Sequence, residues 1–423
     1  MKNNRKKSND NQELTVGRQR TLRLAEVIER NLYEFVMIEG MKAVDELLEQ
    51  DRERICGPVH AKDGADSPQR WGKTDGRLVM AGRRVVVPRP RVRQHGKEVV
   101  LPSWAQFADT DPLDERTMQQ MVLGVSTRGY NRSVEPLPEQ LEPHGASKSA
   151  ASRRFVATTQ KKLDAWLNRD LAELRLAVVM IDGIIVVEDH TVLVALGIDE
   201  GGRKHPLGLW LGATENSTVC GALLDNLIER GLDAQRSYLF VIDGSKALRK
   251  GIAERFGRLV LVQRCQQHKT ENVLRHLPKR LHPSVRKAML DAYRSQSAST
   301  AKRRLLQLVS QLDDEHPDAA ASLREGLDET LTLKDMGLPT SLERTLSTTN
   351  PIENLNSTIR RVLHRVKRWK GGSMVKRWVA AGVLEAERGF RRLRGHKGMP
   401  KLVAALNAHA ERNGCIDETK EVA

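Results

Sequence analysis

The order of apolar runs in the middle of the chain constrains the fold most strongly. Three strand-like runs come first, with tight connections, at residues 177–181, 191–198 and 205–212. A helical pattern, a buried strand at 237–242, a second helical pattern and a further strand at 258–262 follow. A series of strands that gives way to alternating helix and strand predicts an α/β domain.

This order is that of a ribonuclease-H-like domain, which we take as the predicted fold class. Residues 269–334 contain no strand pattern, and they predict an all-helical insertion in that domain. The predicted organisation is a basic disordered arm, an N-terminal region, a first part of the ribonuclease-H-like core, a helical insertion, and C-terminal core helices with a basic tail. Their boundaries are 1–22, 23–170, 171–268, 269–340 and 341–423.

The N-terminal region is predicted to be mainly helical with a small β element. Residues 22–54 have apolar side chains at helical spacing, whereas residues 56–82 are rich in Gly, Asp and Pro and predict a loop. Residues 84–101 alternate charged and apolar side chains, which indicates a small basic hairpin. Pro88 and Pro90 would confine that hairpin to a sheet edge, because proline cannot donate to a ladder.

Residues 114–155 have the rhythm of a helix-turn-helix. One helix starts near Asp114, a second lies near 126–134, and a third begins after Gly145 with Ser147 as its N-cap. An ordinary helical linker is the alternative. The third helix carries short polar and basic side chains that suit a major groove, namely Lys148, Ser152, Arg153 and Arg154.

Two aspartates follow buried strand patterns. Asp182 comes directly after residues 177–181, Asp243 comes directly after residues 239–242, and a glycine follows each. A buried carboxylate is costly unless a cation compensates it, and Mg²⁺ prefers oxygen ligands. The ends of parallel strands meet at one sheet edge, so both carboxylates would lie there together. The alternative is that each Asp-Gly is simply a turn.

Glu353 is the third candidate carboxylate. The order Asn350-Pro351 predicts a helix start, with Asn350 as N-cap, and Glu353 then stands where a capping-box glutamate belongs. Capping alone would therefore explain it. Arg360 shares a helix face with Glu353, where it could grip a phosphate. An apolar stripe continues the predicted helix through Ile352, Leu355, Ile359, Val362 and Val366.

Many basic side chains follow Glu353. We expect the same helix to lie along the DNA backbone, with contacts from Arg365, Lys367 and Arg368. Trp369 and Trp378 lie among these cations, and they are either core residues or a stacking platform for an unpaired base.

The charge of the whole chain favours a polyanionic partner. The net charge is +16 and the isoelectric point is near 9.8, which favours nucleic acid. The sequence contains no run of about 20 apolar residues, so it predicts no membrane span. The cysteines lack a paired spacing, so we expect reduced thiols in a cytoplasmic protein. They are Cys56, Cys220, Cys265 and Cys415.

Over about residues 22–402 the chain resembles the Mutator-type transposases of bacterial insertion sequences. Residues 147–155 resemble the family's segment just ahead of its catalytic domain. Ile181-Asp182-Gly183 and residues 242–248 resemble its two aspartate motifs, and residues 350–356 resemble its glutamate motif. The family's Cys-x-x-His is matched by Cys265 and His268, which would line the active site or steady its local fold; a packing cysteine with a hydrogen-bonded histidine is the alternative.

The resemblance implies a DDE transposase with Asp182, Asp243 and Glu353 as catalytic ligands of Mg²⁺ or Mn²⁺. It implies a ribonuclease-H-like fold with a helical insertion, and binding of terminal inverted repeats and target DNA. It also implies a homo-oligomer on paired ends, in the bacterial cytoplasm at the nucleoid. Two alternatives are a ribonuclease-H-like nuclease on RNA or a hybrid, and a non-catalytic DNA-binding repressor.

Overall fold

A computed structural model of the chain describes residues 32–414 with short gaps. The gaps are at 60–65, 81–82, 110–111, 135–136, 139–140, 142, 145–146, 188–189 and 213–215, so the predicted basic arm lies outside the described residues. The chain divides into two compact units, with the boundary between Thr158 and Thr159. No described helix is long and apolar enough to cross a membrane.

The first unit contains a small antiparallel sheet and several helices. Its helices are α1 (Leu32–Cys56), α2 (Pro102–Asp109), α3 (Pro112–Val122), α4 (Tyr130–Ser133) and the first half of α5 (Lys148–Leu167). Its strands are β1 (Gln69–Met80), β2 (Arg83–Gln94), β3 (Lys97–Val99) and β4 (Pro143–His144).

The predicted hairpin is confirmed as β2 and β3, which turn at His95 and Gly96. The loop predicted for residues 56–82 is wrong from residue 69 on, because those residues form β1. Their polar composition hides a strand that is held by pairing with β2. β2 is not an edge strand either, since β1 pairs along nearly its whole length. However, β3 and β4 pair only with its two ends, so the other side of β2 is open at Pro88 and Pro90.

Three helices lie where the helix-turn-helix pattern predicted them, but the middle one, α4, is only four residues long. Tyr130 in α4 is fully buried, and its hydroxyl bonds with Thr117 of α3 at 3.1 Å. At the start of α5, the Ser147 hydroxyl accepts a hydrogen bond from the Ala150 N–H at 3.3 Å, as an N-cap does.

The second unit is built on a five-stranded mixed sheet of order β7-β6-β5-β8-β9. β5, β6 and β7 are antiparallel, whereas β8 runs parallel to β5, and β9 runs parallel to β8. All five predicted strands are present, although β9 begins three residues later than expected. The strands are β5 (Leu176–Val187), β6 (His190–Asp199), β7 (Lys204–Gly212), β8 (Leu239–Ile242) and β9 (Leu261–Arg264).

Helices cover both faces of this sheet. They are α6 (Ser217–Glu229) and α7 (Lys246–Phe256) on one face, and α13 (Asn350–Leu363), α14 (Gly372–Arg388) and α15 (Met399–Gly414) on the other. Side chains alternate along β5, so Val179 and Ile181 face α6 and α7 while Val178 and Met180 face α13. Burial on both faces explains the continuous apolar run that precedes Asp182.

Between β9 and α13 the described residues form only helices and turns. The helices are α8 (Gln266–Arg275), α9 (His282–Tyr293), α10 (Ala298–Asp313), α11 (Pro317–Arg324) and α12 (Thr340–Leu346), with short 3₁₀ turns between them. α8 to α11 bury an apolar cluster of their own, with Leu274, Met289, Leu305 and Leu323 at its centre.

Candidate active site

Asp182 and Asp243 occupy equivalent positions on neighbouring parallel strands. Met180 of β5 is opposite Val241 of β8, and each aspartate comes two residues after its member of this pair. Side chains at equal offsets in a parallel register point to the same face, and the strands are about 4.8 Å apart. The fold thus places the two carboxylates side by side.

Asp182 lies within its strand, not after it. It pairs with Val194 of β6 and β5 continues to Val187, so the turn interpretation is wrong for Asp182. One carboxylate oxygen accepts from the backbone N–H of Gly183 at 2.9 Å. The other accepts from the Asn356 amide of α13 at 2.7 Å. Both oxygens are therefore held before any ligand arrives.

Asp243 does leave its strand in a turn. Gly244 has φ +109°, which favours glycine, and the Ser245 N–H donates to the Asp243 carboxylate at 3.0 Å. The Ser245 hydroxyl then caps α7 by accepting from the Leu248 N–H at 3.3 Å. At Asp243 the turn and the site are the same structure, so the two interpretations are compatible.

Burial is the main reason why the pKa of Asp182 lies above its usual value, and the negative charge of Asp243 raises it further. Hydrogen bonds from Gly183 and Asn356 oppose these effects only in part. Two close carboxylates with little water around them form a site that a cation would stabilise.

Glu353 lies in the first turn of α13 beside a cluster of side chains from α8. The helix begins at Asn350, so Thr349 and not Asn350 is the N-cap. The Thr349 hydroxyl donates to the Glu353 carboxylate at 2.8 Å, and His268 Nε2 lies 3.6 Å from the same oxygen. The carboxylate is therefore engaged by side chains, and not by the backbone N–H that a capping box would supply.

Cys265 and His268 complete this cluster. Cys265 is fully buried at the start of α8, where its sulfur accepts from the His268 N–H at 3.5 Å and lies 3.5 Å from the Thr349 hydroxyl oxygen. His268 Nδ1 lies 3.2 Å from the Thr349 hydroxyl oxygen. A chain of contacts thus runs from the histidine through Thr349 to Glu353.

The surroundings of His268 favour the protonated form of its imidazole. Its hydrogen bond with Cys265, followed by the charges of Cys265, Glu353 and Asp243, raises its pKa to about 9 despite partial burial. Burial raises the pKa of the Cys265 thiol, but hydrogen bonds from His268 and Thr349 outweigh burial and lower it overall. With both ring nitrogens protonated, Nδ1–H donates to Thr349, whose hydroxyl then donates to Glu353.

The donor set fits a hard cation. Asn356 is fully buried, and its side-chain oxygen has no hydrogen-bond partner among the described residues. Carboxylate and amide oxygens are the ligand class that Mg²⁺ takes. Within the described part of the chain, however, no three His, Cys, Asp or Glu side chains already surround a single point. The site is thus a carboxylate pair on the sheet with Glu353 held on the helix beside it.

Thr349 and Asn356 hold two of the three carboxylates but were not among the predicted site residues, although Asn356 lies in the motif at residues 350–356. A signal for Asn356 was present, because it stands four residues after Ile352 and three before Ile359, at a core-facing position of the stripe. A polar residue at such a position requires a partner. Thr349 has no comparable signal, since its role depends on α8, which is distant in sequence.

The other predicted contact residues lie at the surface, except Arg154, whose side chain is 13% exposed. Arg360 is exposed on α13, as are Lys148, Ser152 and Arg153 on α5 of the first unit, where Arg154 lies 3.8 Å from Asp114. Arg365, Lys367 and Arg368 are also exposed, but the prediction that they extend the helix is wrong. α13 ends at Leu363, so these cations lie in its connection to α14.

Trp369 and Trp378 are partly buried and pack against the apolar cluster between the sheet and α13. This packing is that of core residues, which was the first of the two interpretations.

Comparison with known proteins identifies the family. The pattern that defines the family described as "Transposase, Mutator family" matches residues 19–392. The transposase for insertion sequence element IS6120 of Mycolicibacterium smegmatis is 31% identical over 231 residues, which are 53% of this chain and 70% of that protein. The transposase for IS256 in transposon Tn4001 of Staphylococcus aureus is 28% identical over 257 residues, or 58% of this chain and 62% of that protein.

A longer alignment joins the chain to the transposase for insertion sequence element ISRM5 of Rhizobium meliloti. It is 26% identical over 363 residues and covers 81% of this chain and 85% of the relative. Since the family pattern spans most of the sequence, including all three candidate carboxylates, the chain belongs to the Mutator family of transposases.

Proposed function

We propose that this chain is the DNA transposase of an insertion sequence, and that Asp182, Asp243 and Glu353 form a DDE active site. The observation that carries the proposal is the equal register of Asp182 and Asp243 on neighbouring parallel strands. Glu353 lies on the helix whose Asn356 donates a hydrogen bond to Asp182. The sheet order, three antiparallel strands followed by two parallel ones, supports a ribonuclease-H-like assignment.

Asp182, Asp243 and Glu353 are the residues that would hold Mg²⁺ or Mn²⁺. When bound, such ions activate an attacking water or 3′-hydroxyl and stabilise the charge on the leaving oxygen of a phosphodiester. Asp182 and Asp243 contribute from the sheet, where backbone N–H groups and Asn356 orient them. Glu353 contributes from α13, and Thr349 fixes its rotamer.

His268 and Arg360 supply positive charge around the carboxylates. The charged imidazole of His268 steadies Glu353 and offsets part of the negative charge of Asp243. Arg360 stands seven residues after Glu353 on α13, hence on the same side of the helix about two turns on. We assign to it a contact with a phosphate beside the bond that is cleaved.

The proposed partners are the terminal inverted repeats of the element and a target DNA, bound by a homo-oligomer on paired ends in the cytoplasm. Lys148, Ser152, Arg153 and Arg154 would contact bases and phosphates from the first unit. Arg365, Lys367 and Arg368 would contact phosphates from the connection after α13, where they are exposed.

Asp182→Asn tests the active site. Cleavage of element ends should fall by more than the ~100-fold that changes in outer-shell partners cost, because a metal ligand is lost. DNA affinity should stay close to wild type, because it rests on Lys and Arg. The matched control is Asp233→Asn, which alters an exposed turn carboxylate that accepts from the Gln235 N–H. Cleavage by Asp182→Asn at the rate of the control would exclude the assignment.

A further inference from the structure

A cavity of about 560 Å³ lies beside the first two turns of α13. Four basic side chains from three separate segments line it: Lys204, Arg344, Arg392 and Arg394. Ser341, Asn350 and Asn354 add neutral donors, and no acidic side chain of the described chain lines it. None of these residues belongs to the DNA contacts assigned above. The described residues thus form a concave surface with four cations and without an acidic side chain.

Neighbouring carboxylates do not neutralise these cations. Glu343 precedes Arg344 directly, but it pairs with Lys334 at 2.6 Å. In the part of the chain that the structure describes, none of the four forms an ion pair with a carboxylate. Lys204 lies over the Phe390 ring at 5.8 Å, and burial lowers its pKa. Like charges gathered around one concavity repel each other, so the arrangement favours an anionic ligand.

The backbone beneath the arginines is fixed. Leu393 is buried between Arg392 and Arg394, and its N–H donates to the Gly202 carbonyl at 2.8 Å. Gly395 has φ +85°, and a Cβ there would lie 2.6 Å from the backbone nitrogen of Leu342. This close approach holds the segment 392–395 against α12, which carries Arg344. The charged groups are therefore presented by a preorganised surface and not by a loose chain.

The cavity is close to the carboxylates. Asn350 and Asn354 are one turn apart on α13. Glu353 directly precedes Asn354, so the two side chains point in directions about 100° apart around the helix axis. An α-helix is about 10 Å across, roughly three times the ~3.4 Å axial rise per nucleotide of one DNA strand. The N-terminus of α13, where Asn350 and Pro351 line the cavity, also favours negative charge. A strand that passes the carboxylates is thus within a few nucleotides of this cavity.

We propose that this basic cavity binds the phosphodiester backbone of DNA a few nucleotides from the bond cleaved at Asp182, Asp243 and Glu353. The inference rests on the proposed function, since it assumes that DNA passes the carboxylates. Guanidinium groups bind phosphate oxygens in bidentate fashion, and the hydroxyl and amide donors complete such a contact. The cavity then fixes the position of the strand and reads no base.

The test is the salt dependence of DNA binding by Arg392→Ala/Arg394→Ala. A fluorescein-labelled duplex of mixed sequence is titrated at several salt concentrations without divalent metal, with Asp182→Asn present in every protein. The slope of log affinity against log salt should flatten by roughly 0.9 for each lost phosphate contact, hence by about 1.8 for two. The loss should be the same for any duplex sequence.

Two further variants control for net charge and folding. Lys287→Ala/Arg303→Ala removes the same number of exposed cations from α9 and α10 and should keep the wild-type slope. Arg392→Lys/Arg394→Lys retains the charges, so it should keep most of the wild-type slope of log affinity against log salt. If the Arg392→Ala/Arg394→Ala variant had the same slope as the control, the proposal would be overturned. If this variant bound polyglutamate more weakly but bound DNA as before, the ligand of the cavity would be an acidic protein instead. Because no cleavage is measured, a wrong active-site assignment leaves this readout intact.

Discussion

The sheet side and the helix side of the carboxylate site are built in different ways. Asp182 stands in the middle of a strand, is largely buried, and accepts from a backbone N–H and a buried amide. Glu353 stands in the first turn of a helix, is a third exposed, and is held by a hydroxyl and an imidazole. The sheet side is fixed by strand register, whereas the helix side depends on a few side chains from α8 and the turn before α13.

The two sides therefore differ in what determines the position of the carboxylate. Strand pairing determines where Asp182 lies, so no single side chain is essential for its placement. Glu353 depends on the contacts of Thr349, His268 and Cys265, and the last two lie more than 80 residues before Thr349 in the sequence. Substitutions that remove one hydrogen bond should therefore have unequal effects on the two sides.

The largest effect is expected from Glu353→Gln. If both sides hold the metal, cleavage should fall as far as in Asp182→Asn, by more than ~100-fold, although Glu353 is the more exposed carboxylate. Single-turnover cleavage of a labelled element end measures it, with Glu385→Gln as control, because Glu385 is a partly buried carboxylate of α14 that lies 3.5 Å from Arg388. A Glu353→Gln enzyme that cleaves within a few-fold of wild type would limit the site to the sheet side.

A smaller effect is expected from Thr349→Val, which keeps the side-chain shape but removes the hydroxyl that joins His268 to Glu353. Outer-shell partners of metal ligands typically contribute about 10–100-fold, and we expect a loss of cleavage in that range with DNA affinity unchanged. Thr358→Val is the matched control, because the Thr358 hydroxyl donates to the Asn354 carbonyl at 3.3 Å, on the same helix, and contacts no candidate carboxylate among the described residues. Equal rates for the two valine variants would show that Glu353 needs no side-chain support.

The smallest effect on cleavage is expected from Asn356→Ala. Asp182 loses one donor but keeps the Gly183 N–H and its strand pairing, so cleavage should fall less than in Thr349→Val. The free energy of unfolding should nevertheless fall by about 1–3 kcal/mol, because a buried carboxylate oxygen loses its partner. Urea unfolding measures this, and exposed Asn354→Ala should stay within about 0.5 kcal/mol of wild type. A larger loss of cleavage than in Thr349→Val would reverse the comparison.

The same contrast explains what the sequence could predict. The strands around Asp182 and Asp243 were visible because burial on both faces leaves uninterrupted apolar runs, although β5 continues six residues beyond its predicted end at residue 181. The position of Asp182 inside β5 was not visible, since the polar Asp-Gly pair looks like the end of a run. Strand pairing with β6 overrides that local turn preference.

Local sequence patterns could not predict the contacts between segments that are far apart in the sequence. The hydroxyl of Thr349 meets His268 across 81 residues of sequence, and the basic cavity gathers Lys204, Arg344 and Arg392 from far apart in sequence. β1 was missed for the same reason, because its polar residues become a strand only through pairing with β2. The helical extension past Leu363 failed because a charged run with helical periodicity does not specify where a helix ends.

Gly395 has a consequence for how this chain can change over generations. Its positive φ disfavours any other residue, and a Cβ there would lie 2.6 Å from the backbone nitrogen of Leu342. The close packing of α12 against the segment that carries Arg392 and Arg394 therefore requires glycine at this one position. Arg392 and Arg394, just before it, are exposed, so we expect substitutions there to leave the fold intact. Changes in how strongly the protein binds its substrate should therefore arise at the charged positions, whereas steric crowding disfavours any substitution of Gly395.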